Sequence, residues 1–149
     1  MKKGFVLLCA AVLWTLSPGG NAAELKINWS EDFHSEDSLS HWQGGSEVEW
    51  VPGLEKGNAV HFKKDSKRGS SAIRYPLPGE LLGPGELFCS AWIRWQNVSE
   101  KPQSWNGVKF MLVMDSPAGR TWPQRQIDSG SSDWTEMSFI APITPGATS

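Results

Sequence analysis

Tryptophan is the side chain with the most chemistry to offer in this sequence: nine of the 149 residues, eight of them beyond residue 23. An indole is a flat apolar plate carrying one N–H donor. A small core buries a few such plates, and the rest stand partly in water. Trp92 sits in an alternating run with Ser90 two residues before it and Arg94 two residues after. Trp105 falls in a polar stretch, and Trp122 is followed at even spacing by Gln124 and Gln126. Plates beside guanidinium and amide groups suit partners with an apolar face and a fringe of hydroxyls, as sugar rings have. The plate stacks, while Arg or Gln bridges neighbouring hydroxyls with paired hydrogen bonds. The expected ligand-binding set is Trp92, Arg94, Trp105, Trp122, Gln124 and Gln126.

Covering one face of an indole gains roughly 2–3 kcal/mol gross at ~25 cal/mol per Å² of apolar surface. Ordering and desolvation take back a large share, so two or three plates imply affinities in the micromolar to millimolar range. Another reading stays open, in which Trp92 packs under a loop or a neighbouring domain. Trp42, Trp50, Trp95 and Trp134 read as core or corner residues.

Other chemistries find little support. Glycoside hydrolysis needs two carboxylates flanking one bond. Glu47 and Glu49 share a strand face, but alternation with Val48 and Trp50 explains the pair, and the pattern E-x-D-x-x-E is absent. The chain has neither G-x-S-x-G nor H-E-x-x-H. His34 and His41 lie in a Ser/Asp/Glu stretch and read as solvated, whereas His61 between Val60 and Phe62 reads as structural. Lys63, Lys64, Lys67 and Arg68 are interleaved with Asp65 and Ser66, as in a solvated hairpin loop. A net charge of −2 and a pI of about 5.9 give no pull toward nucleic acid or an anionic membrane.

Residues 1–23 read as an export signal. Lys2 and Lys3 form a basic start, residues 5–16 an apolar run too short for a membrane span, and residues 17–23 a small, turn-prone stretch. Cleavage is expected after Ala22 or Ala23. Cys9 is preceded by Leu7 and Leu8 where a lipid anchor wants small residues. A secreted or periplasmic product follows, with no membrane attachment after cleavage. Residues 24–149 are enough for one domain with one core. Only Cys89 remains there, so no intramolecular disulfide forms, and its apolar setting reads as an inert core thiol.

No helix of useful length is visible, because Gly and Pro interrupt the chain and apolar residues alternate. Strands are expected over 46–51, 59–63, 71–77 and 87–95. A hairpin of 108–115 with 120–127 turns at residues 116–119, and a last strand covers 134–141. The strand 87–95 (LFCSAWIRW) places Leu87, Cys89, Ala91, Ile93 and Trp95 on a core face and Phe88, Ser90, Trp92 and Arg94 on a wetter one. Seven or eight short antiparallel strands imply an all-β jelly-roll sandwich. The end at residues 144–149 reads as a turn. The expectation is therefore a sandwich lacking its last strand or strands, the front of a longer polypeptide.

From about Asp32 to Ala147 the chain resembles the jelly-roll carbohydrate-binding modules of the family 4 and 9 type. The resemblance rests on EDFHSEDSLSHW (31–42), KRGSSAIRY (67–75), LFCSAWIRW (87–95) and DSGSSDWTEMSFIAPITPGA (128–147), in that order. It implies non-catalytic binding of a polysaccharide, β-glucan, xylan or similar, by an accessory module beside a downstream catalytic domain of a secreted glycoside hydrolase. It also implies a structural Ca²⁺ in many relatives, to which Glu31 or Asp32 would contribute oxygen ligands. The family's late Asp partner is absent, and His34 stands where an acidic residue is common. Two alternatives remain: a structural sandwich packing its indoles on a neighbouring domain, and a part of a glycoside hydrolase completed downstream.

Overall fold

The computed structural model describes residues 4–16, 25–33, 35–44, 48–54, 57–64 and 72–148, with backbone only at 4–16, 25–28, 36 and 64. Ten strands are described: β1 Gly4–Leu16, β2 Leu25–Glu31, β3 Val48–Pro52, β4 Asn58–Lys64, β5 Gly85–Val98, β6 Lys109–Met111, β7 Met114–Ser116, β8 Gly119–Thr121, β9 Gln124–Gln126 and β10 Gly130–Ile143. Among the described residues there is no α-helix, only two 3-10 turns, Glu36–His41 and Gly79–Leu82. Among the described residues no helix is long and apolar enough to cross a membrane. The protein is all-β, and every described strand pair is antiparallel.

The main sheet runs β10-β5-β1-β4-β3, with β2 also on β1. β4 pairs with Gly4 to Leu8, and β2 with Ala11 to Leu16. Residues 4–16, expected as an export leader, thus lie as a strand at the centre of the sheet. It has paired neighbours on both edges, β5 on one side and β4 and β2 on the other.

β5 follows its alternation closely. Leu87, Cys89, Ala91, Ile93 and Trp95 are all buried. Trp92, Arg94 and Gln96 on the other face are exposed. Ser90 departs from expectation: placed on the wet face by its spacing, it is only 6% exposed. Its Cα partners, Ser138 on β10 and Val12 on β1, flank it on both sides.

β6 to β9 form one hairpin interrupted in the middle. Lys109 to Met111 pair with Gln126 to Gln124, and Met114 to Ser116 pair with Thr121 to Gly119 in the same register. The Leu112 amide still donates to the Pro123 carbonyl at 2.9 Å. Pro123 has no N–H to return the bond, so the ladder breaks there. Gly119 closes the turn at φ 117°, where a side chain would be strained.

The inner face of β5 and β10 packs against the inner face of this hairpin. One cluster joins Leu87, Cys89, Ala141 and Ile143 to Leu112 and Met114, and a second joins Ala91, Ile93, Trp95 and Met137 to Ile127. Half-buried Trp29 packs on both clusters and stacks on Tyr75 at 4.6 Å, which in turn meets Trp42 at 5.5 Å. Trp95 is buried, and Trp42, Trp50 and Trp134 are half-buried, as core and corner residues should be.

Two strand boundaries need correction. The strand expected over 71–77 is not one over its described part: Arg74 makes a single bridge to Gln43, and Pro76 and Pro78 prevent a ladder. The last strand, expected to stop before Pro142, runs on to Ile143, with Pro142 opposite Glu86. β10 is an edge strand, where a missing N–H is tolerated.

Candidate functional site

The six residues expected to bind ligand divide between two surfaces. Trp92 and Arg94 lie on the outer face of the main sheet. Trp122, Gln124 and Gln126 lie on the outer face of the hairpin, since Pro123 and Ile127 stand opposite Leu112 and Val108, which with Ile127 belong to its inner face. The core clusters separate the two surfaces.

On the sheet face, Trp92 is 39% exposed and sits opposite Glu136 on β10. Beside it opens a shallow cleft of about 240 Å³ lined by Arg94, Trp95, Gln96, Ser131, Ser132 and Asp133. Its shape comes from register shifts in the β5–β10 ladder, between Gly130 and Ser132 and again between Ser132 and Thr135. Such bulges re-aim side chains. They bring the Asp133 carboxylate to 3.9 Å from Arg94 Nε, both groups largely in water. Local hydrogen bonds fix this wall. Asp133 Oδ1 accepts the Trp134 amide at 2.9 Å, Thr135 Oγ1 donates to the Asp133 carbonyl, and the Asn97 amide donates to Ser131 Oγ.

On the hairpin face, Trp122 is 55% and Trp105 69% exposed, with Met111 (37%) beside Gln124. The loop carrying Trp105 is tied down. Lys109 Nζ donates to the Trp105 carbonyl at 2.7 Å, Gln126 Nε2 donates to the Ser104 carbonyl at 3.1 Å, and Lys101 Nζ donates to Gln126 Oε1. Gln126 thus uses both ends of its amide on the loop and positions Trp105. Gln124 carries the exposed amide of this face.

Sequence reasoning missed Gln96, which alternation places on the face of Arg94, and Ser131, Ser132 and Asp133, which bulges set beside it. It also missed Lys101, Lys109 and Met111.

The acidic residues weighed in the sequence make local contacts where they are described. Glu31 Oε1 accepts the Phe33 amide at 2.9 Å, which serves the local turn. Among the described residues, no group of three His, Cys, Asp or Glu side chains is placed to hold a metal ion. Glu49 pairs with His61 Nδ1 at 3.1 Å, and Glu47 and His34 lie outside the described residues. Cys89 is buried and its thiol is pushed up to about 12 by that burial, which suits an inert core group. Arg120 binds Asp115 through two parallel hydrogen bonds at 2.7 and 2.8 Å at the hairpin tip and holds its carboxyl below the usual range.

Compared with known proteins, the chain finds no significant match to any family model, curated protein or solved structure.

Proposed function

We propose that this chain is a non-catalytic polysaccharide-binding domain of a secreted or periplasmic protein, an accessory module acting beside a glycoside hydrolase domain. In this reading the fold is a jelly-roll sandwich whose second layer is the β6–β9 hairpin. Its substrate class is a β-linked glycan of the β-glucan or xylan type. The observation that supports it is the standing of three indoles in solvent, Trp92, Trp105 and Trp122, each beside a polar side chain. Exposed indoles on ordered backbone offer stacking area at low ordering cost. Holding an enzyme near its polymer raises local concentration without chemistry of its own.

A second reading has an observation behind it. On the sheet face Ile140 is 51% exposed and faces half-buried Phe88 across the β5–β10 ladder. That apolar end favours packing against a neighbouring domain.

Affinity electrophoresis of the full chain in gels containing soluble β-glucan, xylan or mannan separates the two. A binding domain is retarded by at least one of them, and a Trp92→Ala/Trp105→Ala/Trp122→Ala variant is not. A spacer migrates identically in all gels, and that result would overturn the proposal.

A further inference from the structure

We infer that the domain binds two glycan chains at once, one on each side of its core, an inference that rests on the polysaccharide-binding reading. The geometry carries it. Trp92 lies between Ala91 and Ile93, whose side chains point into the core, so its own points away from the hairpin. Trp122 lies beside Pro123, which stands opposite core residue Leu112, so its side chain points away from the sheet. Roughly 10 Å separates stacked β-layers, backbone to backbone. A short oligosaccharide stacked on one indole therefore has that core between it and the other.

Each surface is complete enough to act alone. The sheet face offers Trp92 as plate, with Arg94, Gln96 and Asp133 at the cleft beside it. Arg94 and Asp133 give donors and acceptors at one rim, as vicinal hydroxyls need. The hairpin face offers two plates. Four residues separate Trp122 from Gln126, about 13 Å along an extended strand. The loop bonds to Gln126 and Lys109 hold Trp105 at that far end. The spacing leaves room for two or three sugar rings between the plates, with Gln124 facing the middle. A sugar polymer has the matching character, apolar ring faces edged by hydroxyls.

Two opposed sites change what the module does. It can bridge neighbouring chains of a polymer, and on a dense matrix the second contact becomes intramolecular, raising residence well beyond either site alone.

Titration calorimetry of the full chain with cellohexaose, xylohexaose and mannohexaose tests this. The hexasaccharide that binds should do so at two per chain. Trp92→Ala and Trp122→Ala should each reduce this to one, weakening the altered site at least tenfold, and the double variant should bind none. Gln124→Ala should weaken only the hairpin site. With the matching high-molecular-weight polysaccharide, the wild-type chain should raise light scattering by cross-linking, and neither single variant should. One hexasaccharide per chain, with Trp122→Ala unchanged, would overturn the inference and leave the binding reading standing. No binding of any hexasaccharide, with no retardation in the gels, would overturn both.

Discussion

Arg94 and Asp133 face each other across the mouth of the sheet-face cleft, Nε to Oδ1 at 3.9 Å, although they lie on different strands. Both are well exposed, so the pair contributes little to stability, within about 0.5 kcal/mol for surface ion pairs. The proposed polysaccharide-binding reading gives Arg94 a role in ligand contact beside Trp92. Arg94→Ala is expected to leave the melting temperature within about 2 °C. It should weaken the sheet-face site about tenfold, the usual scale for losing a charged hydrogen-bond donor. Thermal unfolding and calorimetry on the same variant check the split, and a large melting shift with unchanged affinity would contradict it.

Cys89 gives a pH signature. Burial pushes its thiol up to about 12 in the fold, whereas an unfolded thiol ionises near 8.5. The unfolded state therefore releases a proton that the folded state keeps. The associated stability is present below about pH 8.5 and is lost as pH rises toward 12, by roughly 5 kcal/mol at most. Denaturant titrations from pH 8 to 11 should show a steeper alkaline decline in the wild type than in Cys89→Ala. Parallel declines would refute the assignment.

β1 makes a third test. It hydrogen-bonds β5 from Phe5–Gln96 to Thr15–Leu87. A chain beginning at residue 24 has lost that neighbour, so the inner strand becomes an edge. Cys89, closed off in the full chain, is expected to react with a thiol reagent at pH 8 in the shortened chain, and β5 amides to exchange faster. Unchanged protection would show that another segment closes over β5 when residues 1–23 are removed.

The core that joins sheet and hairpin sets the fourth. Leu87 and Met114 belong to one cluster and are 0% and 1% exposed. Leu87→Ala and Met114→Ala should each destabilise by about 2–5 kcal/mol. Trp122→Ala, on the outer face, should stay within about 0.5 kcal/mol. Urea midpoints rank the three, and an equal loss for Trp122→Ala would mean its indole is part of the core.

Much of the fold was legible because period-two alternation states which face is inward. LFCSAWIRW announced β5, and residues 108–127 announced the hairpin and its Gly119 turn. Alternation fails where a residue's cover comes from elsewhere. Ser90 carries no local sign that its neighbours in the sheet will bury it. Nor does alternation say how layers stack, so Trp92 and Trp122 could be recognised as outward without showing that they face opposite ways. Asp133 owes its place to bulges, which leave little trace in residue order. The loop bonds of Gln126 leave no trace in local spacing, because its partners Lys101 and Ser104 lie 25 and 22 residues away.

The most direct measurement is acrylamide quenching of tryptophan fluorescence with and without a saturating soluble polysaccharide that retards the chain, or, if none does, each of the three in turn. Trp92, Trp105 and Trp122 stand in solvent, and stacking on sugar rings would shield them. Quenching is expected to fall in the wild type when the polysaccharide is added, and to stay unchanged in the variant lacking all three indoles. Equal quenching of the wild type with and without every polysaccharide tested would contradict the account.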